Sequence, residues 1–482
     1  MEIYEIILLS LLGLVVLFLA VLIIRALAFK PYPIKKVADE PIEFDKKRAE
    51  DSLSKLVSCK TISYKDSSLE DNAEFDKLVG LLPKLFPTVF KTCEYLELKD
   101  RAILLKWKGK SNLAPSVFMS HYDVVPALEE KWTKPAFSGI IEDGKLWGRG
   151  TLDTKVTLNS ALFSAETLIN QGFVPENDVY FAFSGNEEIS GNGAVRIVDY
   201  FEENNIVPAL VLDEGGAVVE NVFPGVKSPC ALIGIAEKGM INVEYKVNSN
   251  GGHASAPKPH TPIGMLANAV CKVENNPFPF YITKPVKLMF DTLGRHSTFV
   301  YRLIFANLWC FKGILNSICK KSGGELNALV RTTVAFTMAK GSQVTNVIPP
   351  EATVVSNLRL SPYDTVDGGV ERLKKVVDDQ NVIVTALEGN NPSRISVVNS
   401  DGYKKIESAI LSTWKGSIVS PYLMVQCSDS RHYGRISDKV YRFSSMDLTK
   451  EERASIHGND EAIRLETLHR SVEFYIKVMK QC

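Results

Sequence analysis

Four short stretches carry side chains suited to holding a cation: His121 and Asp123 in SHYDVV, Asp153 in GRGTLD, Glu187 and Glu188 in SGNEE, and Asp213 and Glu214 in VLDEGG. Each closes an apolar run. Singly, such a group is ordinary turn chemistry. Jointly, on one sheet edge, they describe a site, because open α/β sheets collect ligands beyond the carboxyl ends of their strands. Carboxylates crowded without a cation repel one another and shift toward protonation, so a divalent metal is expected among them. Imidazole with carboxylates suits zinc, with cobalt or manganese as alternatives, and two metals sharing a bridging carboxylate would use every group named. Asp123, two residues past His121, points to the same face of an extended segment and is expected to orient the imidazole. Glu187 and Glu188 are neighbours and cannot both face one metal from an extended backbone. One is expected to ligate and the other to act as general base toward an attacking water.

The elements that must place these groups follow from the pattern. SVFMSH, DVYFAFSG and PALVLDEGG read as strands, and TLNSALFSAETLINQG as a helix with a glycine stop. Their alternation predicts an α/β fold, a largely parallel, doubly wound sheet covered by helices on both faces. From about Lys238 the order changes to β-α-β-β-α-β, through MINVEYKVNS, a helix with Thr261 as N-cap and Pro262 first, paired strands in VIPPEATVVSNLRLSP, a helix in TVDGGVERLKKVVDDQ and a strand in VIVTALEG. That order predicts an inserted ferredoxin-like α+β unit. The residues between its first helix and second strand, 288–338, are read as extra material, in which FVYRLIFANLWCFKGIL is a buried helix or else an acyl-chain channel or membrane-facing patch. The expected divisions are residues 1–30 as an anchor, 31–44 as a proline-bearing linker, 45–236 and 392–482 as the two parts of a catalytic domain, and 237–391 as a lid.

Residues 6–24 are apolar except for Ser10 and Gly13, a run of about 28 Å that predicts an uncleaved single-pass membrane helix. Arg25, Lys30, Lys35 and Lys36 follow this run while Glu2 and Glu5 precede it, which assigns the large C-terminal part to the cytosol. The absence of any N-x-S/T acceptor agrees with that side. Across 482 residues the formal net charge is zero, which gives no reason to expect a nucleic-acid partner. The eight cysteines are widely spaced, without a C-x-x-C, and are expected to be buried thiols.

The motifs SHYDVVP, GRGTLDTK, GNEEISG, LDEGG, GGHASAP, NVIPP, NLRLSP, SDSRHY and SIHGNDE together resemble the aminoacylase/carboxypeptidase family of dinuclear zinc metallopeptidases from about residue 45 onward. PAFSGI, EKGMINVEYKV and LNALVRTT are most similar to its branch of vacuolar carboxypeptidase S and the N-fatty-acyl-amino-acid synthase/hydrolases. The resemblance implies two zinc ions, with His121 on one, Asp153 bridging, Glu188 and His457 on the other, Asp213 or Glu214 as the remaining ligand, and Glu187 as base. It further implies that His253 stabilises the oxyanion from the lid, that Asn346, Arg359 and Arg431 position the substrate, and that two chains pair through the lid. The implied reaction is hydrolysis of the amide next to a C-terminal free amino acid, in a peptide or an N-acyl amino acid. An aminoacylase or dipeptidase of other side-chain preference is the alternative within enzymes. A catalytically silent membrane receptor or scaffold is disfavoured, since every implied ligand position is filled. The resemblance implies a vacuolar or lumenal side, against the charge bias. His260, His296, His432 and His469 lack ligand-like companions and are expected to be structural or at the surface.

Overall fold

A computed structural model describes residues 3–33 and 41–482. Its main sheet has eight strands, in the order Glu94–Leu98, Ala102–Trp107, Asn177–Ser184, Ser111–His121, Leu210–Val219, Val440–Leu448, Cys230–Glu237 and Ile418–Met424. The four strands from Asn177–Ser184 to Val440–Leu448 run parallel. The first two strands and the contact between Val440–Leu448 and Cys230–Glu237 are antiparallel, so the sheet is mixed where a largely parallel one was expected. For the first pair the reason is local: Glu94–Leu98 and Ala102–Trp107 are joined by three residues, two of which (Asp100 and Arg101) have positive φ, and so short a connection permits only a hairpin.

Alternation along Ser111–His121 sends Phe118 into a core beneath helices Lys155–Asn170 and Leu465–Met479, and Val117 and Met119 into a second core beneath helix Gly193–Glu203. The sheet is therefore covered on both faces, as expected. Asp153 does not end a strand of this sheet. It lies in a turn between Lys145–Trp147, a member of a separate three-stranded sheet, and helix Lys155–Asn170. Nor does the strand bearing Asp213 and Glu214 stop there. It continues to Val219 past an irregularity at Gly216, where a Cβ would meet the Leu232 carbonyl oxygen at 1.8 Å.

A second sheet of four antiparallel strands, Thr333–Lys340, Glu351–Leu360, Gly239–Asn248 and Ile383–Asn390 in spatial order, carries helices Pro262–Asn275 and Val366–Val377 on one face. Its second strand in chain order, Thr333–Lys340, falls largely inside the stretch read as extra material. The rest of that stretch forms helices Lys284–His296, Phe299–Ala306, Leu308–Ser322 and Gly324–Val330. Phe305 is buried against Phe223 and Phe290, with ring centroids 4.7 and 5.2 Å away, so it is core and not channel lining.

Helix Ile3–Ala28 is long and apolar enough to cross a membrane. Residues 34–40 of the expected linker, with Lys35 and Lys36, lie outside the described residues. All eight cysteines are free thiols, mostly buried, although Cys271 is exposed.

Candidate functional site

His121 closes its strand level with Ser184, and the next strand's turn, Gly185 to Glu188, rises beside it. Gly185 is required there, because any Cβ would lie 2.6 Å from the Tyr122 ring. The imidazole Nδ1 donates to the backbone carbonyl of Asp123 at 2.9 Å. A carbonyl can only accept, so Nδ1 carries a proton and Nε2 is left facing the cleft, where it donates to Asp153 in the metal-free protein and would offer its lone pair to a cation. The fully buried Asp123 carboxylate, whose Oδ1 also lies 3.4 Å from Nδ1, accepts the backbone amides of Glu187 and Glu188, both at 3.1 Å, and the Ser63 hydroxyl at 2.6 Å. Asp123 thus orients the imidazole, chiefly through its main-chain carbonyl, and holds the Glu187-Glu188 turn through its side chain.

Asp153 stands between two imidazoles. Its Oδ1 is 3.0 Å from His121 Nε2, and its Oδ2 is 3.1 Å from His457 Nε2. Glu214 Oε1 lies 3.4 Å from His121 Nε2 on one side, and Glu188 Oε2 lies 3.2 Å from His457 Nε2 on the other. The arrangement is two triads sharing one carboxylate. Glu187 lines the same cavity, of about 480 Å³, and can bring an oxygen within 4.8 Å of ligand atoms on His121 and Glu214. Asp213 is turned away, as strand alternation requires, and accepts the Ser430 amide at 3.0 Å.

The electrostatics of this cluster are those of a site built around positive charge. Burial, reinforced by Asp429, Glu214 and Glu188, pushes the Glu187 carboxyl well above the usual carboxylate range, despite the opposing effect of His121. Burial and the Asp153 charge raise Glu214 to about 8. Burial alone would raise Asp153 as well, but its hydrogen bonds to His121 and His457 hold it low. Those to Asp153 and Glu188 lift His457 to about 10. Glu188 Oε1 is buried without a hydrogen-bond partner. An orphaned carboxylate oxygen beside imidazole nitrogens and further carboxylates fits divalent cations, which would displace the imidazole protons, satisfy that oxygen and remove the repulsion.

Sequence reasoning missed Glu461, which is fully buried four residues beyond His457. Its Oε1 accepts the amides of Gly150 at 3.1 Å, Leu152 at 2.7 Å and Asp153 at 3.3 Å, while Oε2 pairs with Arg149 at 2.6 Å. Arg149 also donates to the Gly458 carbonyl at 2.7 Å. This carboxylate ties the turn that carries Asp153 to the loop that carries His457. The signal available was the final residue of SIHGNDE.

Of the remaining expected groups, Arg359 contacts Cys427 at 3.5 Å, and Cys427 lines the cleft. Arg431 lies close enough to Cys427 and Glu187 to act on their charges. His253 and Asn346 meet on a small ribbon, where the Ala254 amide donates to the Asn346 carbonyl at 2.9 Å. The His253 side chain is exposed, bonds Ser255 at 2.7 Å and does not line the cleft. His469 pairs with Glu50 at 3.0 Å, away from the cluster.

The family model described as peptidase family M20/M25/M40 matches residues 117–481. The chain belongs to this family. Among curated relatives of this M20 peptidase, a probable carboxypeptidase S-like protein of Dictyostelium discoideum is 37% identical over 89% of this chain and 84% of that protein. An N-fatty-acyl-amino acid synthase/hydrolase of Xenopus tropicalis is 36% identical over 98% of this chain and 93% of that protein. Among solved structures, an M20 family metallo-carboxypeptidase of Sulfolobus solfataricus aligns with a TM-score of 0.65 at 18% identity, over 90% of this chain and 98% of that one, which establishes a shared fold. As an M20 peptidase the chain is a metal-dependent hydrolase.

Proposed function

We propose that this M20 peptidase hydrolyses the amide bond next to a free amino acid, in a peptide or an N-acyl amino acid, with two zinc ions as its cofactor. The observation that carries the reading is Asp153, whose two oxygens each face a different imidazole. His121, Glu214 and Asp153 Oδ1 would hold one ion, and His457, Glu188 and Asp153 Oδ2 the other. Bound there, the ions would polarise the amide carbonyl and bring the pKa of water toward ~7. Glu187 accepts the proton of the attacking water and returns it to the leaving amine, a task for which its place in the cleft beside His121 and Glu214 suits it. Asp123 keeps Glu187 and Glu188 in place during that transfer.

The guanidinium groups of Arg359 and Arg431 hold the substrate carboxylate, for which a planar fork is matched. Residues 237–391 act as a lid: movement of the four-stranded unit brings His253 to the oxyanion and Asn346 to the substrate. Two chains pair through the same unit. The cleft shares Leu232, Glu325, Tyr422 and Arg453 with an adjoining cavity of about 580 Å³ lined by Phe223, Val226, Met289 and Leu329. Its apolar walls favour a substrate with a hydrocarbon acyl group, the class named in the Xenopus relative. The helix Ile3–Ala28 anchors the chain in a membrane.

The test is metal analysis together with Glu187→Gln. Two metal equivalents per chain and a loss of about 10²–10⁴ in kcat with metal retained are expected. Full turnover by the variant, or a metal-free active protein, would refute the assignment.

A further inference from the structure

The helix Ile3–Ala28 is not a free leash. Leu22 and Ala26 are buried, and the Asn307 side chain, itself fully buried, donates to the Leu22 carbonyl at 3.0 Å. Arg25 returns from the helix to Asn307 Oδ1 at 3.0 Å and to the Ala306 carbonyl at 3.1 Å. Further along, Arg295 lies over the rings of Phe29 and Tyr32, at 4.3 and 4.1 Å, and donates to the Lys30 carbonyl. A helix docked by its own backbone carbonyl and by packing on both sides of Asn307 keeps a fixed height against the body.

That height has a consequence for the neighbouring helices. Phe18 meets Trp309 edge-to-face with ring centroids 6.1 Å apart. Phe18 lies six residues before Ile24, the end of the apolar run, which is about 9 Å along a helix axis. If the anchor spans a bilayer, Trp309 lies at the depth of Phe18, below the level of the head groups. Trp309 is nevertheless 61% exposed, and Phe299, Val300, Ile314 and Ile318 on the same two helices are 42, 68, 57 and 50% exposed. Polar solvent leaves so much apolar surface costly, whereas lipid does not. At the far end of Leu308–Ser322 the last turn carries Lys320 and Lys321, which suit anionic head groups.

We propose that helices Phe299–Ala306 and Leu308–Ser322 form a second membrane contact, sunk beside the anchor to a depth typical of interfacial helices, ~5–10 Å. The occupant is the lipid bilayer, because the anchor's own position places this face there. Thr298 and Tyr301, at the start of the same hairpin, line the cavity that adjoins the catalytic cleft, so this contact sets the cavity against the lipid surface. The inference rests on the anchor reading above and is independent of the metal chemistry.

The test uses the full chain in vesicles of phosphatidylcholine and phosphatidylserine, made with or without acyl-chain bromination, and follows tryptophan emission. Trp309 is one of five tryptophans. Brominated lipid should remove about a fifth of the wild-type emission, and this loss should vanish in Trp309→Phe and shrink in Ile314→Glu/Ile318→Glu. Alkaline carbonate extraction is run in parallel. Protein that stays with the vesicles yet shows equal quenching in wild type and Trp309→Phe overturns the second contact while leaving the anchor. Protein released by carbonate overturns both.

Discussion

Replacing Glu461 with glutamine tests whether the two cation-holding loops are fastened by one buried carboxylate. The side chain is fully buried and its partner Arg149 nearly so, with relative exposures of 0% and 3%. Glutamine keeps the shape and an acceptor for the Leu152 and Gly150 amides, but leaves the guanidinium buried without its counter-charge. Breaking one side of such a pair costs ~3–5 kcal/mol, against a whole-domain stability of ~5–15 kcal/mol. The Asp153 amide shares that acceptor oxygen, so as the turn loosens around the unpaired guanidinium, metal affinity should also fall, by about 10–100-fold for weakened support of a ligand. Urea denaturation of the detergent-solubilised chain reads the first effect, and competition for zinc against a chromophoric chelator reads the second. Arg149→Met/Glu461→Gln, which removes both charges, should recover most of the stability but not the affinity. A Glu461→Gln protein within ~0.5 kcal/mol of wild type, the scatter of an ordinary surface substitution, and with unchanged zinc affinity would refute the reasoning.

Other outcomes follow from the same geometry. Burial, aided by Arg359, lowers the Lys238 ammonium to about 7 from 10.5. Between those values the unfolded chain binds a proton that the folded one has released, so stability rises with pH across that window. Thermal melts of wild type and Lys238→Met should diverge there, the wild type gaining, and parallel curves would count against the buried amine. In chelated protein, Glu214 titrates near 8, above its unfolded value of 4.5. The metal-free form should therefore lose stability as pH rises from about 4.5 to 8, and the gain in melting temperature on adding zinc should grow over the same range. An equal zinc effect at pH 5 and pH 8 would contradict the crowding of carboxylates. Ser63→Ala removes one of the three donors on Asp123 and is expected to cost about 1–3 kcal/mol of stability while kcat drops modestly, measured by melt and by steady-state assay; an unchanged melt would show that the hydroxyl is idle.

Much of the site could be read from the chain because its groups terminate apolar runs. His121 and the Glu187-Glu188 pair stand where strand ends put them, and they do so on adjacent parallel strands. Asp153 was identified for the wrong reason, since it comes from a turn before helix Lys155–Asn170. The choice between Asp213 and Glu214 depends on the parity of a strand, and parity is set by neighbours that no local pattern reveals. Strand Thr333–Lys340 escaped notice because it lies at a sheet edge with many exposed residues and lacks clean alternation. The role of Glu461 could not be read from its motif for a different reason: its partners lie more than 300 positions away in the chain.

That separation governs when the protein can become active. The loop carrying Asp153 is made early in synthesis, but the groups that complete and brace it come from residues 457 and 461, and the helix Leu465–Met479 that underpins the sheet comes later still. A nascent chain emerging from the ribosome therefore carries half a cation cradle, unable to cut anything around it, until residues 457 and 461 have been threaded into place.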